Sequence, residues 1–525
     1  MRVEVEGIGV LENPVIAEGT AEVRIVRHFI DGEFVDAAAG RTFQSLNPAT
    51  NTPIAEVAAG SAEDVDRAVR AARRAFDDGP WPRMRAADRA RALQRIADII
   101  ERRVEEISLA ECVDTGIPYT QVRQGQIPRA AENFRFFAEM ATHVPHEAFP
   151  VEGAFVNYVQ RVPAGVAGLI TPWNTPFMLE SWKVAPCLAA GCTCVLKPAE
   201  WAPLSAALLA EVVREADLPA GVFNVVQGFG ETAGAPLVAH PLVNLISFTG
   251  ETTTGREIMR NGAATLKRFS MELGGKSPVV VFPDADLERA LDATIFGQYT
   301  LNGERCTANS RLLVHRRIHD EFVGRLVERV ARLRLGDPLD PATEVGPLIH
   351  PEHWERVYGY VTLGVREGAR LATGGRRPPG LPQGNYLEPA VFTGVATTMR
   401  IAQEEVFGPV LAVIPFESEE EAVRLANGVR YGLAAYVWTG DLSRGHRVAA
   451  ALEAGLVWVN SQNVRDLRTP FGGMKDSGIG REGGRYSFDF YQEYKTIHIA
   501  LGAHRIPRMG TGERERETDF RGLDG

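Results

Sequence analysis

The sequence predicts an α/β protein of two consecutive domains, each a largely parallel sheet covered by helices on both faces. Three observations predict it. Short, almost continuously apolar runs recur along the chain, as strands buried on both faces require. Between them lie stretches with the 3, 4, 7, 8 spacing of amphipathic helices. The 525 residues also exceed what one hydrophobic core usually fills, so the chain must divide.

In the first half, Ser61-x-x-Asp64 opens a helix with Val65, Ala68, Val69, Ala72 and Phe76 on one face, stopped at Gly79-Pro80. Strand-like runs follow at Val166–Ile170, Thr193–Leu196, Val222–Val226 and Val243–Phe248, with a helix at Leu204–Ala216. A second series begins after Glu272. Ser277–Phe282, Arg311–His315, Val410–Phe416 and Leu456–Val459 read as strands. Leu287, Ala290, Leu291, Thr294, Ile295, Gln298 and Tyr299 mark one helix between them, and Ile318, Phe322, Val323, Leu326, Val327 and Val330 mark another. Residues 1–26 show little periodicity and the stretch after Gly510 is polar and charged, so both ends read as peripheral.

Composition excludes several classes. A net charge of -10 leaves no basic excess to neutralise phosphates, which argues against nucleic acid as a partner. The longest uncharged run, Val162–Leu179, contains Pro163, Pro172 and Pro176 and does not suit a membrane span. With no basic head and apolar stretch at the N-terminus, a cytoplasmic location is expected. The five cysteines, at 112, 187, 192, 194 and 306, make neither a disulfide framework nor a metal set. Cys192 and Cys194 read as buried strand residues.

Cys306 differs in context. It ends Asn302-Gly303-Glu304-Arg305-Cys306, directly after a helix and on a turn signal, where a thiol can meet a ligand. Taken alone it is as readily one more small buried hydrophobe. Glu272, set against an apolar run and two glycines, would gain basicity if withdrawn from water, although alone it reads as an exposed acid. Asn174, in Thr171-Pro172-Trp173-Asn174 at a strand end, offers a neutral amide to an oxyanion or simply makes an Asx-turn.

In order along the chain stand Pro172-Trp173-Asn174, Val195–Glu200, Ser247-Phe248-Thr249-Gly250, Met271–Pro278, Asn302–Cys306, Glu404–Pro409 and Pro470-Phe471-Gly472-Gly473. Over roughly residues 27 to 503 the sequence resembles the aldehyde dehydrogenase superfamily. The resemblance implies an aldehyde dehydrogenase fold: a variant Rossmann domain for NAD, an α/β catalytic domain and a small β oligomerisation arm. It implies NAD-dependent oxidation of an aldehyde to a carboxylic acid. Cys306 would be the nucleophile, Asn174 the oxyanion donor and Glu272 the base that activates water, with Lys183 and Glu482 orienting or relaying a proton. Relatives that transfer the acyl group to coenzyme A lack the base, so a hydrolytic enzyme is implied. A catalytically silent relative is the alternative from another class.

For the cofactor, Gly228-Phe229-Gly230-Glu231-Thr232-Ala233-Gly234 is one residue longer than the usual dinucleotide motif. The resemblance instead places the Gly250 turn at the pyrophosphate, Lys197 and Glu200 at the adenosine ribose and Glu405 at the nicotinamide ribose, with Phe407 beside the ring. Trp173, Gly230, Gly234, Phe248 and Leu273 complete the implied cofactor wall. Glu200 favours NAD over NADP, since a carboxylate repels a 2′-phosphate. Glu251 stands where the family often has serine, an unexpected acid near the pyrophosphate.

Substrate contacts are expected from Arg129, Arg305, Arg465, Arg468 and Phe471, the arginines gripping carboxylates by paired hydrogen bonds. An arginine pairing with Asp466 or with a subunit neighbour is the competing possibility. Asp114–Pro118, Ile127–Ala130 and Gln462–Arg468 are similar to 5-carboxymethyl-2-hydroxymuconate semialdehyde dehydrogenases, which act on a dicarboxylate aldehyde in homoprotocatechuate breakdown. Another muconic semialdehyde or an aromatic aldehyde is the alternative. The expected layout is an extension at 1–26, a cofactor domain at 27–142 and 164–275, and a catalytic domain at 276–478. An arm at 143–163 and 479–503 would build a homodimer or homotetramer, and 504–525 form a polar tail.

Overall fold

A computed structural model of the chain describes residues 2–5, 9–12, 23–151, 155–502, 506, 509 and 510. Strands buried at every position, such as Val166–Ile170 and Thr193–Lys197, must be covered on both faces, and they occupy the centre of an eight-stranded sheet. Its order is Gly478–Ile479, Arg268–Glu272, Leu245–Thr249, Val166–Ile170, Thr193–Lys197, Phe223–Val225, His28–Ile30, Glu33–Val35. The five strands from Arg268–Glu272 to Phe223–Val225 run parallel, and antiparallel strands close both edges. Chain order reverses between Val166–Ile170 and Leu245–Thr249. A crevice therefore opens at the carboxyl ends of those two strands.

The second sheet has seven strands. They run Arg370–Thr373, Ala390–Thr393, Val410–Phe416, Arg311–His315, Pro278–Val281, Ala434–Trp438, Leu456–Val459, parallel except at the Arg370 edge. The helices read from periodicity appear as Leu287–Tyr299 and His319–Val330. Ser61 caps the helix Ala62–Asp77 reciprocally with Asp64, whose Oδ2 accepts from the Ser61 backbone N at 3.0 Å and from its hydroxyl at 2.8 Å. That helix buries Val65, Ala68, Val69 and Ala72, while Phe76 stays half-buried. Cys194 lies within a buried strand and Cys192 just before it, donating from Sγ to the Tyr491 carbonyl. No helix among the described residues is long and apolar enough to cross a membrane.

One expected boundary changes, and short strands lie within the N-terminal extension. Arg2–Val5 pairs antiparallel with Gly9–Glu12, and Arg24–Val26 joins Pro53–Ala58 and Thr42–Leu46 in a small sheet. Strands of three or four residues are too short to show a period. The second part of the arm does not begin at 479. Gly478–Ile479 instead pairs with Met271–Glu272 at the edge of the large sheet, and the helix Gly484–Tyr491 follows. From Gln492 the chain runs antiparallel to Phe155–Pro163, itself paired with Glu147–Val151. A period of two cannot say which sheet an edge strand joins. Of the tail at 504–525, only residues 506, 509 and 510 are among the described residues.

Three acids that carried no expectation lie fully buried together: Glu111, Asp114 and Glu180. Burial pushes Glu111 and Asp114 up to about 7. Glu180 is driven further, by burial first and then by its two acidic neighbours, and neither of its carboxyl oxygens has a hydrogen-bond partner. A carboxyl with a raised native pKa keeps a proton that the unfolded chain releases. Its contribution is therefore present at low pH and lost as pH rises above the unfolded value. Glu180→Gln should raise the melting temperature by about 1–4 °C at pH 8 and by much less at pH 4.5, as measured by calorimetry at the two pH values.

Candidate active site

The chain passes from one sheet to the other through five residues. Glu272 ends a strand of the first sheet, Pro278 starts a strand of the second, and Leu273–Ser277 lies between. This crossing sets the site. A Cβ on Gly274 would collide with the Glu405 carboxylate, and one on Gly275 with the Cys306 carbonyl oxygen. The two glycines let both loops close on the strand end. The Gly275 N–H then donates to Glu405 Oε1 at 2.8 Å.

Cys306 is half-buried, whereas the other four cysteines are buried. Leu301, Asn302 and Gly303 take φ of 54°, 57° and 75° in succession, which turns the chain sharply out of the helix Leu287–Tyr299. Two of the three are not glycine, and such backbone persists only when its surroundings hold it. Asn302 supplies that hold: its amide donates to the carbonyls of Gly116 (3.1 Å) and Pro347 (2.9 Å) and accepts from Gly346 N (2.7 Å). Leu301 N donates to Gln121 Oε1. Asn174 follows the central strand Val166–Ile170 and is buried, and its Nδ2 donates to the Glu304 carbonyl at 2.9 Å. An amide nitrogen carries two hydrogens, so this bond leaves a second one beside the thiol loop.

Glu272 is buried and neither of its carboxyl oxygens has a hydrogen-bond partner. A Cβ on Gly472 would stand 2.8 Å from its Oε1, so the glycine leaves the room in which the carboxyl sits. Burial drives its pKa well above the carboxylate range and Glu482 adds to this, while Lys183, Arg481 and Arg465 oppose it. Lys183 and Glu482 are brought together: Lys183 Nζ donates to Glu482 Oε1 at 2.8 Å and to Ser247 Oγ at 2.9 Å. Ser247 Oγ in turn donates to Glu482 at 3.1 Å. Glu482 is held by backbone bonds with Phe471, each 2.7 Å. Burial pushes the Cys306 thiol up to about 11; Glu405 and Glu272 act in the same sense, and Arg465 and Arg305 against it.

The crevice beside this centre carries the residues expected at a cofactor. Lys197 ends its strand buried, with Nζ 3.0 Å from Glu200 Oε2. Trp173 meets the Phe407 ring edge-on at 5.2 Å and the His353 ring at 4.9 Å. Phe407 is held at φ 59°. His353, kept neutral by burial with its pKa near 3, donates from Nε2 to the Phe407 carbonyl at 2.7 Å. Burial pushes Glu405 up to about 7, with the Gly275 N–H, Arg356 and Lys276 opposing and Glu251 reinforcing it. Gly230 opens and Gly234 ends a π-helical turn, and a Cβ on either would meet nothing within 4 Å. The Gly250 turn folds back on buried Phe248, and Leu273 is buried beneath it against Gly255. An open turn, a strand-end lysine–acid pair, a second carboxylate and an aromatic wall together fit a dinucleotide.

The arginines separate. Arg465 lies over the Phe471 ring, 3.8 Å from its centroid, and has no carboxylate within ion-pair distance among the described residues. Its pKa is drawn down to about 10, by partial dehydration first and by Arg305 and Arg129, with Cys306 acting the other way. The residue is exposed, and Arg305 and Arg129 crowd it with like charge. Arg305 is tied to the hydroxyls of Thr307 and Thr300, and Arg129 pairs with Glu132 at 3.1 Å. Arg468 is not brought to the centre: it is exposed and bound to Asp466 at 2.6 Å. The pairing weighed for this loop thus falls on Arg468, and Arg465 is left for the thiol.

The match to known proteins is continuous over this architecture. The model of the aldehyde dehydrogenase family matches residues 34–497. The chain belongs to the aldehyde dehydrogenase family. It is 51% identical over 467 residues to the 5-carboxymethyl-2-hydroxymuconate semialdehyde dehydrogenase of Escherichia coli, covering 88% of this chain and 98% of that protein. Among solved structures, HpcC from Thermus thermophilus superposes with a TM-score of 0.91 at 57% identity, over 93% of this chain and 95% of that one. An aldehyde dehydrogenase from Bacillus cereus in complex with NAD superposes at 0.90 and 44% identity, over 91% and 97%. The chain is an NAD-dependent aldehyde dehydrogenase with the α/β fold of that family.

Sequence reasoning missed Ser247 as the partner of Lys183 and Glu482, although it lies in a motif already singled out. It also missed Arg356 beside Glu251, for which no local signal exists. The charge next to Glu272 gives a test. Removing the Glu482 carboxylate takes away one cause of the raised Glu272 pKa and frees Lys183 to lower it further. Glu482→Gln should therefore move the ionisation of Glu272 to lower pH, read as an acid-side shift of about one unit in the pH–rate profile.

Proposed function

We propose that this enzyme oxidises a carboxylate-bearing semialdehyde to the free acid through a thioester on Cys306. Cys306 Sγ attacks the aldehyde carbon as its proton leaves toward Glu272 and nearby water. The resulting oxyanion is held by the Asn174 amide and the Cys306 N–H, and losing one such donor typically costs about 100- to 1000-fold in rate. NAD, when bound, supplies the acceptor for the hydride, the carbon-bound hydrogen with its electron pair, whose departure leaves the thioester. Glu272 then takes a proton from water, the hydroxide attacks the thioester carbonyl, and the acid departs as the thiol is regenerated. The raised pKa of Glu272 suits this work, because a weakly hydrated carboxylate holds an abstracted proton more tightly than an exposed one.

The observation that carries the substrate class is Arg465: an arginine on the buried Phe471 ring, electrostatically coupled to the nucleophile and, among the described residues, without a carboxylate within ion-pair distance. A guanidinium so placed is a docking point for a substrate carboxylate, with Arg305 and Arg129 close enough to add field. The relative named for a muconate semialdehyde supports the same reading. The antiparallel sheet of Glu147–Val151, Phe155–Pro163 and Gln492–Ala500 is the part we assign to self-association as a homodimer or homotetramer.

Cys306→Ala should abolish turnover while NADH still binds by fluorescence titration; surviving turnover would exclude the thiol as nucleophile. Glu272→Gln should leave a burst of NADH but cut the steady rate by about 100- to 10,000-fold. For the substrate class, Arg465→Ala should lower kcat/KM on a dicarboxylate semialdehyde by about 10- to 100-fold and on benzaldehyde far less. Equal losses on both would reject carboxylate recognition.

A further inference from the structure

Glu251 is the residue that least suits a nucleotide site, and its surroundings give it a role. It follows Gly250 and caps the helix Thr252–Gly262, which starts at the carboxyl end of Leu245–Thr249. That strand borders the crevice where chain order reverses, so the helix N-terminus faces the place where a dinucleotide's phosphates settle. An acid there competes with a bound anion. Yet the Glu251 side chain makes no capping bond to its own helix. Its Oε1 lies 3.7 Å from Arg356 Nη2 instead.

Arg356 comes from the opposite wall, on the helix Pro351–Arg366 that packs against the second sheet. Its Nη2 also reaches the Glu405 carbonyl at 3.5 Å. Both contacts are long, and the two side chains are 41% and 52% exposed, so the pair contributes little to stability. Other cations nearby are committed elsewhere: Arg256 is bound to Asp476 at 2.7 Å, and Arg430 stands 3.8 Å from the same acid. Among the described residues, Glu251 is the one carboxylate within ion-pair distance of Arg356. The contact is thus a loose bridge across the cofactor crevice, between an acid in an anion's place and an arginine whose fork suits phosphate.

We propose that Glu251 and Arg356 set the affinity for NAD as opposed charges: Glu251 holds Arg356 in the free enzyme, and Arg356 turns to a phosphate of the dinucleotide when it binds. Glu251 then weakens binding, by repelling the diphosphate and by occupying Arg356, and Arg356 strengthens it. The inference concerns only the cofactor and is independent of the substrate reading.

The test measures binding without turnover, by calorimetric titration of the full chain with ADP-ribose, which carries the diphosphate, and with adenosine, which does not. Glu251→Gln should tighten ADP-ribose binding by about threefold to tenfold, and Arg356→Gln should weaken it by a similar factor. Arg356→Lys should retain part of the affinity, and the loss in Arg356→Gln should shrink at high salt. Adenosine binding should stay within twofold throughout. Unchanged ADP-ribose affinity in either glutamine variant, weaker binding in Glu251→Gln, or equal changes with adenosine would each overturn the proposal. Melting temperatures of the variants identify any that fail to fold, and Arg356→Lys then carries the arginine arm of the test.

Discussion

The crossing between the two sheets constrains everything around it. The chain leaves the large sheet at Glu272 and enters the second at Pro278, with only Leu273–Ser277 to span the gap. So short a link forces the carboxyl end of one sheet's strand against the loops of the other domain. The close approach is possible only because Gly274 and Gly275 present no Cβ to Glu405 and to the Cys306 carbonyl. Glu272, Cys306 and Glu405 come together because a covalent tether brings their segments there, and the glycines decide how near they come.

That proximity has an electrostatic consequence. Withdrawal from water raises Glu272, Glu405 and Cys306 together. Acidic neighbours raise each one further, Glu482 acting on Glu272, Glu251 on Glu405, and both Glu405 and Glu272 on Cys306, since charging one disfavours charging the next. The counterweights are cations that do not touch the acid they serve. Lys183 is bound to Glu482 and Ser247, one step behind Glu272, and Arg465 rests on Phe471 rather than on a carboxylate. A direct salt bridge to Glu272 would have made it a weak base. Cations at one remove leave it protonatable, which is what a group that must take and release a proton needs.

The same logic separates the arginines. Arg468 and Arg129 are satisfied by neighbouring acids on their own segments, and such pairs are worth little and are common. Arg465 and Arg356 are the informative ones, because one rests on the Phe471 ring and the other is only loosely paired with Glu251. We propose the first for a substrate carboxylate and the second for a cofactor phosphate.

Much of this was legible in the sequence. Apolar runs and helical periods located strands such as Arg311–His315 and Val410–Phe416, because burial on both faces leaves a pattern independent of partners. The order of motifs singled out Cys306, Glu272 and Asn174, whose roles depend on residue type. What the sequence determined, then, is local: which segments must be buried, and which side chains bear chemistry. Tertiary structure alone decided the long-range pairings. It assigned Gly478–Ile479 to the large sheet, joined Lys183 to Glu482 across 299 positions, and set Arg356 opposite Glu251. Charge pairing and desolvation act through space over a few ångströms, and no periodicity in one segment records what the other wall of a crevice will present.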